Sequence, residues 1–335
     1  MKKDIKEFHL FAGIGGGIYG GELLGHKCCA GVEILPYAQQ VLKQRQKDGW
    51  MNEFPIYGDI CTLDGSSFKG QFDVLCGGFP CQAFSTAAHG KNISEKNLWG
   101  EMLRFIKESD APVVFGENVV VRAIEKASAD LEACGYKVRF CKLSCGDIGA
   151  DHQRNRFWLL AVKDSATFNR IAEHLKTLPK LVGNCWTKSL HNTGDIVEVK
   201  SNQRRSQLLG VGNAQSPFVA ATAFRVLVNR HINDDSTYST IVSKKELDSV
   251  FSIKPTWIQT AFDNIGFVHT PTTMANYSCP SMMKHQGCRN FKKVFERPEP
   301  ENAEYLMGFP LGASSPMPMN NNNFDNWKNN GYESN

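Results

Sequence analysis

The feature that most constrains this sequence is an alternation of short apolar segments and amphipathic segments over its first 162 residues. Short apolar runs that end in turn residues are typical of buried strands, and apolar residues that recur every three or four positions are typical of helices. Their alternation predicts an α/β fold, with a mainly parallel sheet flanked by helices on both faces. The predicted strands cover residues 8–11, 28–33, 72–76, 113–115, 136–143 and 157–162, and the predicted helices cover residues 36–47, 97–109 and 122–134.

The pattern changes after the last of these strands. Residues 163–205 are polar and have few long apolar runs, which predicts a polar insertion. Residues 216–230 are rich in Ala, Val and Phe and predict one more helix, whereas the aromatic, Pro, Thr and Met residues that follow show no clear period. We therefore expect one domain over residues 1–230, a smaller irregular region over residues 231–319, and a polar, disordered tail over residues 320–335.

Charge and cysteine content exclude several classes of protein. The formal net charge is only +4, which permits an acidic partner without arguing for one. The eleven cysteines are odd in number, irregularly spaced and without a Cys-x-x-Cys pair, so neither a disulfide framework nor a metal site is expected. No apolar run approaches the roughly 18 residues of a membrane span. A predicted strand follows residues 1–4 almost at once, in place of a signal peptide, so we expect a cytoplasmic protein with no membrane contact.

A glycine-rich turn joins the first predicted strand to the helix after it. This turn covers residues 11–17, Glu33 ends the second strand, and Asp59 lies where a third strand should end. Acidic residues after later strands suit a nucleoside bound at the carboxyl edge of a parallel sheet. The turn lacks the patterns that bind dinucleotides or polyphosphates, so adenosine without a polyphosphate fits better than NAD or ATP. Taken alone, the glycines fit an ordinary turn between strand and helix equally well.

A candidate reaction centre follows the later strands. Cys81 comes directly after Gly-Gly-Phe-Pro at the end of a strand, where it could act as a nucleophile, whereas Cys76 lies within that strand and is expected in the core. Glu117 stands at the tip of the next strand, and Arg154 and Arg156 precede the last one. A buried cysteine, a capping glutamate or a surface arginine would explain any one of them alone. Together they predict a catalytic site.

These segments resemble, in order and spacing, the motifs of the cytosine-C5 DNA methyltransferase family. The resemblance extends over roughly residues 8–230 and rests on residues 11–16, 78–82, 117–119, 154–156 and 212–215. It implies a Rossmann-like class I methyltransferase fold and an enzyme that uses S-adenosyl-L-methionine, with S-adenosyl-L-homocysteine as product. It also implies that a cytosine is flipped out of double-stranded DNA and methylated at C5 through a covalent bond between Cys81 and C6.

The family pattern assigns roles to individual residues. Cys81 would attack C6, Glu117 would bond to N3 and the exocyclic amine, and Arg156 would hold O2, with Arg154 beside it as a further catalytic residue. The cofactor residues implied are Phe11, Ala12, Gly13, Ile14, Gly15, Gly16, Glu33, Ile34, Asp59, Ile60, Pro80, Leu98, Asn213 and Ala214. The DNA contacts that we expect are Gln82, Ser85, Lys284, Arg289 and Lys293.

The chain departs from the family pattern in its order. The stretch between Val162 and Gly210 is short for a target-recognition domain. The Leu-Met-Gly-Phe-Pro segment at residues 306–310 comes after the Gly-Asn motif, and it resembles the corresponding stretch of phage-type members. His152 stands where many members carry Gln. We infer a rearranged order, in which residues 231–319 read the target sequence.

Three other functions remain open. They are methylation of tRNA by the related RNA-acting branch, DNA binding without catalysis, and transfer of a group other than methyl. Gln82 and the long C-terminal region favour DNA over tRNA, the intact Cys81, Glu117 and Arg156 argue against a silent relative, and Asn213 gives no reason to expect another transferred group. The partners that we expect are double-stranded DNA and a cognate restriction endonuclease, and the expected state is a monomer.

Overall fold

The structure is a computed structural model. It describes residues 4–80, 98–150, 152–182, 203–234, 239–253, 268, 280, 282–295 and 299–330. Within these ranges, no helix combines the length and the apolar character that crossing a bilayer requires.

Seven strands form one sheet in the order β3-β2-β1-β4-β5-β7-β6. The five strands from β3 to β5 run parallel, and β7 is antiparallel to both of its neighbours. The predicted α/β fold with a mainly parallel sheet is confirmed. The strands are β1 (Lys6–Leu10), β2 (Lys27–Val32), β3 (Ile56–Tyr57), β4 (Val74–Gly78), β5 (Val113–Asn118), β6 (Lys137–Leu143) and β7 (Arg156–Val162).

Both faces of the sheet are covered by helices, because successive side chains of each strand point to opposite faces and both sets are apolar. In β4, for example, Val74 and Cys76 belong to one buried cluster and Leu75 to the other. Helices α3 (Trp99–Ser109) and α4 (Val121–Ala133) pack on the Leu75 face. On the Val74 face lie α1 (Gly16–Glu22), α2 (Pro36–Lys47), α5 (Ser165–Lys176), α6 (Arg204–Asn213) and α7 (Pro217–Ile232).

Helix α5 contradicts the polar insertion predicted for residues 163–205. Phe168, Ile171 and Leu175 recur at helical spacing and are buried against the core, while the rest of the helix is polar. The carboxylate of Asp164 caps the helix by accepting a hydrogen bond from the backbone N–H of Thr167 at 2.8 Å. This part of the segment is therefore an amphipathic helix that packs against the sheet.

The strand order reverses its direction across the sheet between β1 and β4. Chain connections leave these two neighbouring strands in opposite directions across the sheet, β1 leading to β2 and β4 to β5. Ligands of open α/β sheets bind outside the carboxyl ends of the strands at such a point. The glycine-rich turn follows β1, and Phe79 and Pro80, which precede the predicted nucleophile in the sequence, follow β4. The topology thus places the glycine-rich turn and Pro80 at the same edge of the sheet.

The C-terminal segment returns to the first helix of the chain. Its elements are α8 (Lys244–Val250), α9 (Gln286–Phe295), α10 (Pro300–Met307) and α11 (Asn321–Asn330), and β9 (Phe251–Ile253) pairs with β8 (Leu181–Val182). The buried ring of Tyr19 on α1 packs against Phe309, Phe324 and Trp327, at centroid distances of 5.7, 6.2 and 5.5 Å. Residues 321–330 therefore form a packed helix, and the disordered tail predicted there is wrong for them, because two aromatic residues anchor an otherwise polar segment.

A buried carboxylate organises the turn between α10 and α11. Glu304 accepts hydrogen bonds from the backbone N–H groups of Gly312 and Ser314, at 2.6 and 2.7 Å, and from the Ser314 hydroxyl. Burial raises the pKa of Glu304 to about 7, although these hydrogen bonds favour the charged form. This turn also binds helix α2, because Arg45 of α2 donates a hydrogen bond to the carbonyl of Gly312 at 3.0 Å.

Candidate active site

The turn after β1 has a strained, hydrogen-bonded backbone. Phe11 has a φ of +55°, in the left-handed region that residues other than Gly seldom adopt. The neighbouring Ala12 donates its N–H to the carbonyl of Val32 at 2.9 Å and accepts the N–H of Gly15 at 2.9 Å. Strain held in place by surrounding hydrogen bonds is frequent at functional sites. The predicted cofactor turn is therefore a fixed structure ahead of α1.

The start of α1 packs directly against the segment after α6. A Cβ atom added to Gly16 would lie 2.2 Å from the carbonyl oxygen of Gln215, and both are backbone positions with little freedom to move. Only glycine fits there. The contact joins the cofactor turn to the Gly-Asn motif, since Gly16 and Gln215 are 199 residues apart in the chain.

We expect Gly16→Ala to lower the free energy of unfolding by about 1–3 kcal/mol, the usual cost of forcing an extra methyl group into a packed interior. Gly100→Ala is the matched control, because nothing lies within 4 Å of a Cβ added at Gly100, near the start of α3. The control should be neutral or slightly stabilising. Urea denaturation of both variants measures the difference, and equal stabilities would contradict the close approach.

Glu33 closes the carboxyl end of β2 with a buried carboxylate. One oxygen accepts the N–H of Gly13 at 2.7 Å, and the other accepts the N–H of Leu35 at 2.8 Å. Each oxygen keeps a second lone pair that a hydroxyl group can use. The side chain of Ile34 beside it is 64% exposed, so an apolar surface lies next to the carboxylate. This pair suits the ribose and the ring of a nucleoside.

The other predicted cofactor residues lie at the same edge of the sheet or beside it. Asp59 follows β3 and caps a short helical turn by accepting the N–H of Cys61 at 2.9 Å, and Ile60 is buried. Leu98 stands at the start of α3, and Pro80 follows β4. At the end of α6, Asn213 is exposed and Ala214 is buried.

The predicted base-binding residues meet across an antiparallel strand pair. Arg156 begins β7, and because β7 runs against β5, its first residues lie beside the last residues of β5, with Glu117 opposite Trp158. The Nε atom of Arg156 lies 3.1 Å from Oε1 of Glu117. Glu117 is only 8% exposed. The sequence predicts both residues at one edge of the sheet, and the structure brings their charged groups into contact.

The Glu117 carboxylate is incompletely satisfied. Among the residues that the structure describes, none makes a hydrogen bond to its buried Oε1, because the Arg156 ion pair has poor hydrogen-bond geometry. Its Oε2 has one long contact, 3.5 Å from Nε2 of Gln215. A buried oxygen without a donor is costly, and a ligand with N–H groups would remove that cost.

Arg154, near this pair, binds the end of α6. Its Nη2 donates to the carbonyls of Gly212 and Ala214, at 2.8 and 2.9 Å, and the residue is buried. Burial, with a smaller contribution from the charge of Arg156, lowers the pKa of Arg154 to about 10, so the guanidinium remains charged at neutral pH. Its bonds hold the end of α6 against the sheet.

The turn that leads to the predicted nucleophile is held by Asn118. Its Nδ2 donates to the carbonyl of Phe79 at 2.9 Å, and its Oδ1 accepts the N–H of Val120 at 2.9 Å. Residues 79–80 are therefore tied to the end of β5. The predicted residues Cys81, Gln82 and Ser85 lie outside the described residues.

Three DNA contacts were predicted in the C-terminal region. Lys284 is exposed, and Arg289 of α9 donates to the carbonyls of Met283 and Lys284 at 2.9 Å each. The guanidinium of Arg289 thus stabilises its own segment. Lys293 lies in the same helix, and its side chain is outside the described atoms.

Sequence reasoning gave no role to two residues that shape the site, Asn118 and Gln215. Both belong to motifs quoted above, directly after Glu117 and Ala214. A polar residue adjacent to a predicted functional residue at a strand or helix end is the signal that could have found them. Only the fold shows that Gln215 reaches Glu117, 98 residues away in the chain.

Comparison with known proteins places the chain among similar enzymes. The type II methyltransferase M.MspI of Moraxella sp. is 32% identical over 170 residues, which cover 47% of this chain and 38% of that protein. M.NgoMIV of Neisseria gonorrhoeae is 32% identical over 183 residues, covering 51% and 56%. M.HhaI of Haemophilus parahaemolyticus is 29% identical over 164 residues, covering 46% and 48%. The matches span less than two thirds of each of these relatives.

Among solved structures, that of a DNMT2 from Spodoptera frugiperda matches 48% of this chain and 51% of its own, with a TM-score of 0.41 and 21% sequence identity.

The sequence model of the family described as C-5 cytosine-specific DNA methylase matches residues 5–310. That range contains the sheet, the glycine-rich turn, Glu117 and Arg156. The chain belongs to the C-5 cytosine-specific DNA methylase family.

Proposed function

We propose that this protein is a DNA (cytosine-5)-methyltransferase that transfers a methyl group from S-adenosyl-L-methionine to C5 of a flipped-out cytosine. The observation that carries the proposal is the Glu117 carboxylate. It is buried at the carboxyl edge of the sheet, paired with Arg156 at 3.1 Å, and its Oε1 lacks a hydrogen-bond donor within the described structure. Cytosine carries a donor, the exocyclic amine, next to an acceptor, N3, so a carboxyl group can accept from the amine with one oxygen and share a proton with N3 through the other.

The chemistry requires these residue types. C5 of cytosine is a weak nucleophile, and addition of the Cys81 thiolate to C6 turns it into an enamine-like carbon. Glu117 holds a proton at N3 as charge moves there, and Arg156 binds O2 from the same side. After C5 has taken the methyl group, loss of the C5 proton restores the C5–C6 double bond and releases the Cys81 thiolate. Glu117 and Arg156 thus act on the same base as Cys81.

Arg154 has a positioning role in this proposal, although the sequence predicts a catalytic one. Its guanidinium is buried and its Nη2 is bonded to the carbonyls of Gly212 and Ala214. It retains a positive charge near the site, which favours a thiolate at Cys81. Its direct bonds support the Gly-Asn motif.

The residues at the edge fit S-adenosyl-L-methionine. Glu33 offers free lone pairs for ribose hydroxyls beside the exposed Ile34, and Asp59 and Ile60 stand after the adjacent strand. Phe11 and the turn to Gly16 would lie against the nucleoside, with Asn213 at the end of α6. When bound, S-adenosyl-L-methionine supplies an electrophilic methyl group. The protein residues bind and orient it next to the Pro80-Cys81 turn.

Double-stranded DNA is the substrate in this proposal. The target base must leave the stack, because Glu117 and Arg156 need access to its Watson–Crick edge. Recognition of the target sequence by residues 231–319 remains a prediction, as do the contacts of Lys284, Arg289 and Lys293. The bonds of Arg289 within its own segment favour Lys284 over Arg289 as a DNA contact. The cognate restriction endonuclease and the monomeric state also remain predictions.

We expect labelled methyl groups to pass from S-adenosyl-L-methionine to duplex DNA and not to tRNA. The full chain is incubated with each nucleic acid, and label is counted in the product. Bisulfite sequencing of genomic DNA from a host that expresses the protein then locates 5-methylcytosine, with Cys81→Ser as the inactive control. Label in tRNA alone would favour the RNA-acting alternative, and label in neither would favour a DNA-binding relative without catalysis.

A further inference from the structure

We propose that Gln215 is a positioning residue for Glu117: its side-chain amide holds the carboxylate that binds the cytosine, and its backbone fixes the start of α1. This inference rests on the proposed function. Gln215 belongs to neither the cofactor set nor the catalytic set predicted above. It lies between them, because it is the last residue of the Gly-Asn motif and contacts Glu117 at the end of β5.

The first support is the contact itself. Nε2 of Gln215 lies 3.5 Å from Oε2 of Glu117, while Arg156 occupies the side of Oε1. The carboxylate is therefore flanked by a cation at one oxygen and an amide donor at the other. This arrangement fixes the plane of the carboxylate, which must align with the edge of a base. An N–H donor also stabilises the negative charge of Glu117.

The second support is the space that glycines leave around Gln215. A Cβ atom at Gly78, the last residue of β4, would lie 2.9 Å from both Nε2 of Gln215 and Oε2 of Glu117. A Cβ atom at Gly17 would lie 2.7 Å from Oε1 of Gln215. A Cβ atom at Gly16 would lie 2.2 Å from the backbone carbonyl oxygen of Gln215. The amide group thus lies where β4, β5 and α1 converge, and side chains at these glycines would displace it.

The third support is the anchoring of the backbone on both sides of Gln215. Arg154 binds the carbonyls of Gly212 and Ala214, and helix α7 begins at Pro217. Gln215 is therefore held between a buried cation and a helix start. A side chain on such a fixed backbone can orient a neighbouring carboxylate without large losses of conformational freedom.

Gln215→Met tests the proposal, because methionine has a similar length and lacks the amide donor. We expect kcat to fall about tenfold, the low end for a hydrogen bond to a charged group. The S-adenosyl-L-methionine affinity, measured by calorimetry, should stay within about twofold, and the melting temperature within about 2 °C. Gln71→Met makes the same chemical change at an exposed residue near the opposite edge of the sheet, and it should leave kcat unchanged.

Gln215→Glu separates the effect of Gln215 on the Glu117 carboxylate from the effect of its side-chain packing. It keeps the shape of the side chain and places a second carboxylate beside Glu117, so kcat should fall on the order of 100-fold. In a Glu117→Gln background, Gln215→Met should cause no further loss in single-turnover experiments, because the group that it positions is already altered.

The outcomes distinguish this inference from the proposed function. If the wild-type protein transfers no methyl group to DNA, the proposed function fails. If wild type is active and Gln215→Met matches it in kcat, or loses kcat, cofactor affinity and melting temperature together, Gln215 does not position Glu117. The assignment is supported if the wild-type protein is active, if kcat decreases from wild type to Gln215→Met and further to Gln215→Glu, and if the cofactor affinity stays unchanged.

Discussion

Cys81→Ser is expected to lose turnover on the order of 10³-fold or more while the protein still binds DNA and S-adenosyl-L-methionine. A hydroxyl group at this position stays protonated at neutral pH and adds to C6 of cytosine far less readily than a thiolate. Single-turnover methylation measures the chemical step, and calorimetry and filter binding measure the two affinities. A loss of cofactor affinity parallel to the loss of turnover would contradict the assignment.

The covalent bond can be trapped in the same experiment. A duplex with 5-fluorocytosine at the target should form a stable adduct with the wild-type protein, because the fluorine cannot leave as a proton does. Cys76→Ala is the control. Cys76 is buried in the sheet, and burial raises its pKa well above the usual value, which makes it an unreactive thiol. The adduct should persist in Cys76→Ala and disappear in Cys81→Ser, and peptide mapping to Cys76 would overturn the assignment.

Glu117→Gln should lower kcat by about 10²–10⁴-fold, the range for loss of a group that manages a proton in the transition state. The amide keeps the shape of the side chain but removes the negative charge next to Arg156 and one acceptor for the base. In this proposal Glu117 binds the base and not the cofactor, so the affinity for S-adenosyl-L-methionine should change little. Single-turnover kinetics and calorimetry of the same preparation give both values.

Glu33→Ala is expected to show the opposite pattern to Glu117→Gln, a loss of cofactor affinity with little loss of turnover. Its carboxylate holds the N–H groups of Gly13 and Leu35, so its removal should weaken cofactor binding before it affects the chemical step. At saturating cofactor, Glu33→Ala should recover most of its turnover and Glu117→Gln should not. Equal losses of affinity and turnover in both variants would show that the two carboxylates do not divide the work in this way.

The fold was predictable wherever local pattern and tertiary packing agree. Helix α2 spans residues 36–47 as predicted, because it begins with Pro36 and carries its apolar residues on one stripe. Helix α11 was missed because its sequence is a run of asparagines with two aromatic residues, whose contacts with distant side chains such as Tyr19 stabilise it. Local propensity alone carries no information about such a distant partner.

The site was predictable to the level of strand ends. Glu117 and Arg156 each stand at one end of a strongly apolar strand, so their common edge follows from the topology of the sheet. The position of Gln215 did not follow, because it depends on how closely α1, β4 and β5 converge. That convergence is set by Gly16 and Gly78, whose missing side chains leave room for another residue.

The return of α11 to α1 governs when the protein can finish folding during synthesis. Lys328, which pairs with Glu22 at 3.3 Å, follows it by 306 residues. At roughly 5–20 residues per second, about 15–60 s separate the emergence of α1 from that of its aromatic partners. For this time the face of α1 around Tyr19 lacks Phe309, Phe324 and Trp327. The newly made chain therefore exposes apolar surface next to its cofactor turn, where chaperones can bind, until the ribosome has released α11.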